Sequence, residues 1–72
     1  MPEELLAPMV GKIIKVHVKT GSVVQEDEEI MVMESIMELE TGIDSPCDGV
    51  VKEIRVSEGA RVEEDEVLAI IE

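Results

Sequence analysis

Only a few side chains in this sequence have the chemical types that catalysis or ligand binding requires. His17 alternates with Val16 and Val18 and has no nucleophile beside it, so the pattern predicts an exposed surface histidine rather than a catalytic one. Cys47 lies in a predicted corner turn, where we expect it to pack as a small apolar residue and not to act as a reactive thiol. As the single cysteine, it excludes an intrachain disulfide and favours a reducing, cytoplasmic location.

Two acidic runs, Glu26–Glu29 and Glu63–Glu66, carry carboxylates of the kind that bind calcium. Neither run has the alternating ligand spacing around a central glycine that such sites use, so both are predicted to be solvent-exposed turns, and no metal site is expected. Met31 and Met33 are predicted to fill the core, since flexible methionines adapt to gaps in a chain that has no aromatic residue. No acid–base constellation supports an autonomous enzyme.

Length and composition exclude several further classes of function. Seventy-two residues are enough for one hydrophobic core, so we expect a single domain over residues 1–72. The net charge of -12 repels phosphate backbones and anionic membranes, and the absence of Phe, Tyr and Trp removes any platform for stacking bases. Neither nucleic acid nor a membrane is therefore a predicted partner, and no apolar run approaches the ~18 residues of a spanning helix.

The sequence contains an internal repeat, and the two copies must supply the strands that position any site. Residues 7–34 align without a gap on residues 45–72, and nine of the 28 aligned positions are identical. Pro8 aligns with Pro46 and Gly11 with Gly49, which predicts matching corner turns. Because neither copy covers its own apolar face, the two are expected to close around a shared core with pseudo-twofold symmetry.

Within each copy the apolar residues recur with a period of two, which predicts half-buried strands and an all-β fold. The predicted strands cover residues 4–7, 12–19, 23–24, 29–34, 39–44, 50–57, 61–62 and 67–72. Residues 35–44 join the two halves, most simply as a hairpin with its tip around Ile36–Leu39. An apolar tip departs from the usual turn chemistry, and such departures are candidate functional sites.

The sequence resembles the biotinyl/lipoyl-attachment family, and within it the biotin carboxyl carrier domains of biotin-dependent carboxylases and decarboxylases. APMVGKIIKVHVKTG resembles the family pattern APMPGxIxxVxVxxGxxV, and SPCDGVVKEIRVSEGARVEEDEVLAIIE resembles APxDGxVxxIxVxxGxxVxxGxxLxxI. The resemblance spans nearly the whole chain. It implies a barrel-sandwich hybrid of two four-stranded antiparallel sheets, in agreement with the duplicated strands.

The resemblance also implies a site, because the family carries biotin on a lysine in a tight hairpin with the motif EAMKMExxIxAP. Here the segment reads VMESIMELE, which is nearer to the biotin motif than to the DKA of lipoyl domains. Alignment from the amino-terminal side puts Met37 at the lysine position, whereas alignment backward from Pro46 puts Glu38 there, so the hairpin is expected to contain one inserted residue. The candidate cofactor-binding residues are therefore Met37 and Glu38, flanked by Glu34, Ser35, Ile36 and Leu39.

Neither register supplies the primary amine that an amide-linked biotin needs. The four lysines, Lys12, Lys15, Lys19 and Lys52, all lie on predicted strands or at their starts. We therefore expect no cofactor on this chain, although the family implies biotin, and we expect a fold that is stable without one. The resemblance implies biotin carboxylase and carboxyltransferase components and a biotin protein ligase as partners.

Two functions follow from this pattern. The first is a biotin carboxyl carrier-like domain, not itself an enzyme, that is unmodified because the lysine is missing. The alternative is a structural or protein-interaction domain that has lost the carrier role and uses the apolar hairpin for docking. Met37 is accordingly either a relic of the biotin motif or part of a contact surface.

Overall fold

The computed structural model describes residues 1–72 and contains eight strands and no helix. The all-β prediction is therefore confirmed, and no helix is present that is long and apolar enough to cross a membrane. The strands are β1 (Glu3–Leu6), β2 (Gly11–Val16), β3 (Val23–Val24), β4 (Glu29–Ser35), β5 (Glu40–Asp44), β6 (Gly49–Ile54), β7 (Arg61–Val62) and β8 (Val67–Ile71).

The strands form two four-stranded sheets, with the orders β1-β8-β6-β3 and β5-β4-β2-β7, and every pairing is antiparallel. This confirms the predicted architecture. Only β4 and β5 are both consecutive in sequence and neighbours in a sheet. The hairpin that joins them is thus the one direct strand-to-strand turn in the fold, while the other connections cross to a strand that is not the next neighbour.

The internal repeat is visible in the backbone hydrogen bonds that hold the halves together. The Gly21 amide donates to the Val51 carbonyl at 2.8 Å, and the Gly59 amide donates to the Ile13 carbonyl at 2.7 Å. These two bonds exchange when each residue number is moved by the sequence offset of 38 residues. Each half therefore completes the hydrogen bonding of the other, as expected of a pseudo-twofold assembly.

Bulges place consecutive side chains in the same core. The β4–β5 register shifts between Glu29 and Met31, and both Ile30 and Met31 are fully buried. A bulge lets two successive residues turn to one face, which strict alternation forbids. The core is formed by Leu5, Ala7, Ile13, Val24, Ile30, Met31, Met33, Ile43, Val51, Val62, Leu68, Ala69 and Ile71. The predicted burial of Met31 and Met33 is confirmed.

Six of the eight predicted strands agree with the structure to within one residue at each end, but two end earlier than predicted. The strand predicted over 12–19 ends at Val16, and the one predicted over 50–57 ends at Ile54. The Ser22 amide donates to the Lys19 carbonyl, so the backbone is already turning there, while Val18 still packs against the core. The alternation of apolar residues predicted burial correctly, but it continues beyond the last paired residue of each of these two strands.

Candidate functional site

The β4–β5 turn has a three-residue loop. Glu34 and Glu40 are paired across the hairpin, and the Ser35 amide donates to the Leu39 carbonyl at 2.9 Å. The Glu38 amide donates to the Ser35 carbonyl, also at 2.9 Å, which closes a four-residue turn over residues 35–38. Residues 36–38 are therefore the loop, one residue longer than the two-residue turns that are commonest in hairpins.

The extra length is accommodated by a left-handed backbone at Glu38, whose φ is 62°. A three-residue hairpin loop of this kind combines a turn with a residue in the left-handed region, a position that favours glycine. The Ser35 hydroxyl oxygen supports the turn by accepting from the amides of Met37 at 3.2 Å and Leu39 at 3.3 Å. Ser35 therefore stabilises the loop through hydrogen bonds, while Glu38 adopts the least favourable backbone conformation in the loop.

Three large apolar side chains project from this turn into solvent. Ile36 is 71% exposed, Met37 is 76% exposed and Leu39 is 64% exposed. By contrast, Met31 and Met33 on the preceding strand are fully buried. We call Ile36, Met37 and Leu39 the apolar tip. No packing within the fold accounts for it.

Beside the tip lies an open cavity of about 250 Å³, lined by Gly11, Lys12, Glu34, Ser35, Ile36, Glu38 and Arg61. Lys12 on β2 pairs in register with Arg61 on β7 on one side and with Glu34 on β4 on the other. Neither cation has a carboxylate within 4.0 Å, since the ion pairs of the chain are His17–Glu29, Lys52–Glu72 and Arg55–Glu53.

Neither Lys12 nor Arg61 was predicted from the sequence to belong to the site. A signal was nevertheless present in the aligned halves, because the residues that match them at the offset of 38 are Val50 and Val23. Those two valines are also register partners, on β6 and β3. The same register position is therefore occupied by a cationic pair beside the hairpin and by an apolar pair at the position related by the repeat.

The other candidate groups lie outside this site. His17 is exposed, as predicted, and its Nε2 lies 2.9 Å from Glu29 Oε2. Cys47 is half-buried and packs against the core. Desolvation, with smaller contributions from the carboxylates of Glu3, Asp48 and Glu26, raises the pKa of its thiol. A raised pKa lowers the thiolate fraction at neutral pH, which agrees with a packing role.

The two acidic runs form equivalent turns. The Gln25 amide donates to Glu28 Oε1 and the Glu63 amide donates to Glu66 Oε1, both at 2.9 Å. No group of three or more His, Cys, Asp or Glu side chains in the chain is arranged to hold a metal ion. At least one carboxylate of each run therefore stabilises its own turn.

The sandwich of two repeated sheets with a single protruding hairpin is the architecture of biotinyl and lipoyl domains, and the sequence matches that family directly. The profile of the Biotin_lipoyl family, described as "Biotin-requiring enzyme", matches residues 3–71. The chain belongs to this family.

Curated relatives include both short and long proteins. The chain is 40% identical over 60 residues to the Biotin/lipoyl attachment protein of Bacillus subtilis, covering 83% of this chain and 81% of that protein. It is 39% identical over 64 residues to the alpha subunit of mitochondrial methylcrotonoyl-CoA carboxylase of Oryza sativa, covering 89% of this chain but 8% of the relative. The match to Staphylococcus aureus pyruvate carboxylase covers 99% of this chain and 6% of the relative, at 32% identity. The chain thus spans less than a tenth of these carboxylases.

Solved structures give the same fold. The urea carboxylase of Kluyveromyces lactis superposes with a TM-score of 0.90 at 24% identity, covering 99% of this chain and 6% of that one. A single-chain, multi-domain long-chain acyl-CoA carboxylase superposes with a TM-score of 0.86 at 17% identity, covering 96% of this chain and 7% of that one.

Biotin is the cofactor of this family, but the residues at the hairpin do not fit its attachment. An amide link needs a primary amine, and the loop 36–38 offers an isoleucine, a methionine and a glutamate. Lys12 lines the neighbouring cavity, yet it stands on β2 and not on a turn. The hairpin therefore joins β4 and β5 without presenting a primary amine.

Proposed function

We propose that this chain is a biotin carboxyl carrier-like domain of a biotin-dependent carboxylase or decarboxylase system, and that it carries no biotin itself. Its relatives include methylcrotonoyl-CoA carboxylase and pyruvate carboxylase, and two further carboxylases contain a region on which 99% and 96% of this chain superposes. The proposed domain is residues 1–72, with halves 7–34 and 45–72 joined by the hairpin 35–44. It acts as an accessory domain in the cytoplasm and is not an enzyme.

The observation that carries the proposal is the chemistry of the turn. Residues 20–51 contain no lysine, so no amine lies on the hairpin in either alignment register. The loop geometry favours Met37 as the position equivalent to the missing lysine, because Met37 lies in the middle of the loop and is 76% exposed. Glu38 instead takes the left-handed position and lines the cavity.

The proposed partners are the biotin carboxylase and carboxyltransferase components of such a system. They would meet the platform formed by the two sheets, which does not depend on the missing lysine. A biotin protein ligase would meet the same platform without finding an acceptor. The domain would then occupy a carrier's place in an assembly without transferring a carboxyl group.

The test is incubation of the purified chain with a biotin protein ligase, biotin and ATP, followed by intact mass measurement. We expect the mass to stay unchanged, while a carrier domain that the same ligase modifies gains one biotin in a parallel reaction. Peptide mapping after digestion covers the four lysines individually. A biotin adduct on any of them would overturn the proposal that the chain is unmodified.

A second function, a protein-docking domain, is favoured by one specific observation. The apolar tip is exposed, although turns normally carry small or polar residues. Its side chains do not contribute to the buried core. Exposed apolar clusters of this kind mark contact surfaces when they are contiguous. The two functions are compatible, because an unmodified carrier-like domain still has to be held by its partners.

A further inference from the structure

The hairpin end combines two features that belong together in a recognition surface. The apolar tip offers three exposed side chains, and the two cations Lys12 and Arg61 line the cavity beside it. These are two of only six cations in a chain with a net charge of -12. Neither cation forms an ion pair within 4.0 Å, although Glu34 and Glu38 line the same cavity.

The fold itself does not require these cations. At the positions related by the repeat, Val50 and Val23 form the same register pair in the same antiparallel arrangement. Two like charges directly opposite each other on neighbouring strands repel, so an apolar pair is the easier solution for the sheet. The pairing of β2 with β7 therefore does not require two cations, although Lys12 also lies opposite Glu34 on β4.

We propose that the hairpin end binds an acidic, apolar segment of a partner protein, whose apolar side chains cover the tip while a carboxylate enters the cavity between Lys12 and Arg61. Arginine and lysine both donate strong hydrogen bonds to carboxylates, and arginine can donate two in parallel. The proposal rests on the docking role of the tip but not on the missing attachment lysine. A biotin adduct and a failure to bind are therefore separate results.

The net charge of the whole chain predicts the opposite preference, so the two expectations can be distinguished by experiment. A chain with twelve net negative charges attracts a cationic peptide and repels an anionic one. Tighter binding of the anionic peptide at this end therefore requires a local cationic site. Three synthetic peptides of equal length serve as probes: one with alternating leucine and aspartate, one with lysine in place of aspartate, and one with serine in place of leucine.

The measurement is a titration of the ¹⁵N-labelled chain, followed by NMR shifts. We expect saturable shifts at Ile36, Met37, Leu39, Lys12 and Arg61 with the leucine–aspartate peptide, and binding weaker by on the order of tenfold with either control peptide. The double variant Lys12→Glu with Arg61→Glu should lose binding by at least about tenfold. Its matched control, Lys15→Glu with Lys19→Glu, changes the net charge equally and should bind like the parent.

Several outcomes would overturn the proposal. They are equal or tighter binding of the leucine–lysine peptide, an absence of saturable shifts with all three peptides, and an equal loss of binding in the control variant. Concentration-dependent shifts at the tip without any peptide would instead identify a second copy of the chain as the occupant, which also contradicts the proposal. Dispersed amide spectra of each variant establish that it is folded.

Discussion

The two ends of the barrel occupy equivalent positions in the internal repeat, yet their surfaces differ in chemistry. At the hairpin end, Lys12 pairs with both Glu34 and Arg61. At the equivalent end, which we call the distal end, Val50 exchanges two 2.9 Å hydrogen bonds with Glu72 and pairs with Val23. The backbone pairing is shared, so it belongs to the fold. The side chains that differ are the ones available for function.

The same contrast separates neighbouring methionines on one hairpin. Met33 is fully buried between the sheets, whereas Met37 is 76% exposed at the tip. Met33→Ala should destabilise the fold by about 2–5 kcal/mol, because it removes buried apolar surface and leaves a cavity. Met37→Ala should change stability by no more than about 0.5 kcal/mol. Urea unfolding of both variants checks the difference, and equal losses would show that the tip packs against the fold.

A glycine at each end offers a second comparison. A Cβ built on Gly11 would collide with the backbone carbonyl oxygen of Glu34, and one built on Gly49 would lie 2.8 Å from the carbonyl oxygen of Glu72. Gly11→Ala should lower the free energy of unfolding by about 1–3 kcal/mol, since neither the β2 backbone nor the backbone at Glu34 can move without disturbing the β2–β4 pairing. Gly49→Ala should cost less.

Thermal unfolding of the two alanine variants measures this difference. A larger loss for Gly49→Ala would mean that the distal end is the more tightly constrained of the two.

Much of this architecture was predictable from sequence, because alternation and the aligned halves report burial directly. The existence and order of all eight strands and the burial of Met31 and Met33 follow from that pattern, although two strands end three residues earlier than predicted. The bulge that buries Ile30 beside Met31 was not predicted, since it depends on how β4 meets β5. The pairing of Lys12 with Arg61 was not predicted either, because it joins strands that lie far apart in the chain.

The hairpin that carries the candidate site was predictable in position but not in geometry. The hairpin and its apolar tip were predicted from the segment that joins the two halves, and one inserted residue was predicted from the family motif. The structure shows a three-residue loop over 36–38. The left-handed backbone of Glu38 could not be foreseen, because glutamate is not a residue that marks such a position.

The backbone of Glu38 supports a third, smaller effect. Glu38→Gly should stabilise the chain by about 0.5–1 kcal/mol, because relief of the left-handed strain exceeds the entropy that glycine loses on folding. Asp27 and Asp65, in the turns of the two acidic runs, have φ values of 70° and 66°. Aspartate tolerates this region better than glutamate does. Asp27→Gly is therefore the matched control, with a smaller expected gain. Chemical unfolding that shows no gain for Glu38→Gly would mean that the loop is not strained.

We propose that the chain retains the platform of a biotin carrier domain and lacks only the acceptor turn. The most direct measurement is ligase-dependent biotinylation of a variant in which residues 34–40, ESIMELE, are replaced by ESMKME. This change introduces Ile36→Met and Met37→Lys and replaces Glu38 and Leu39 by a single methionine, so it restores both the amine and the loop length. Length matters because a slip of one residue turns a side chain to the opposite face.

We expect the shortened variant to gain one biotin by intact mass, and the full-length variants Met37→Lys and Glu38→Lys to react less completely. Of those two, Met37→Lys should react more, since Met37 is the more central loop residue. A shortened variant that folds normally yet stays unmodified, while a known carrier domain is biotinylated in the same reaction, would contradict the proposal that the platform is retained. The surface around the hairpin would then have diverged as well, and the docking function would be the better description.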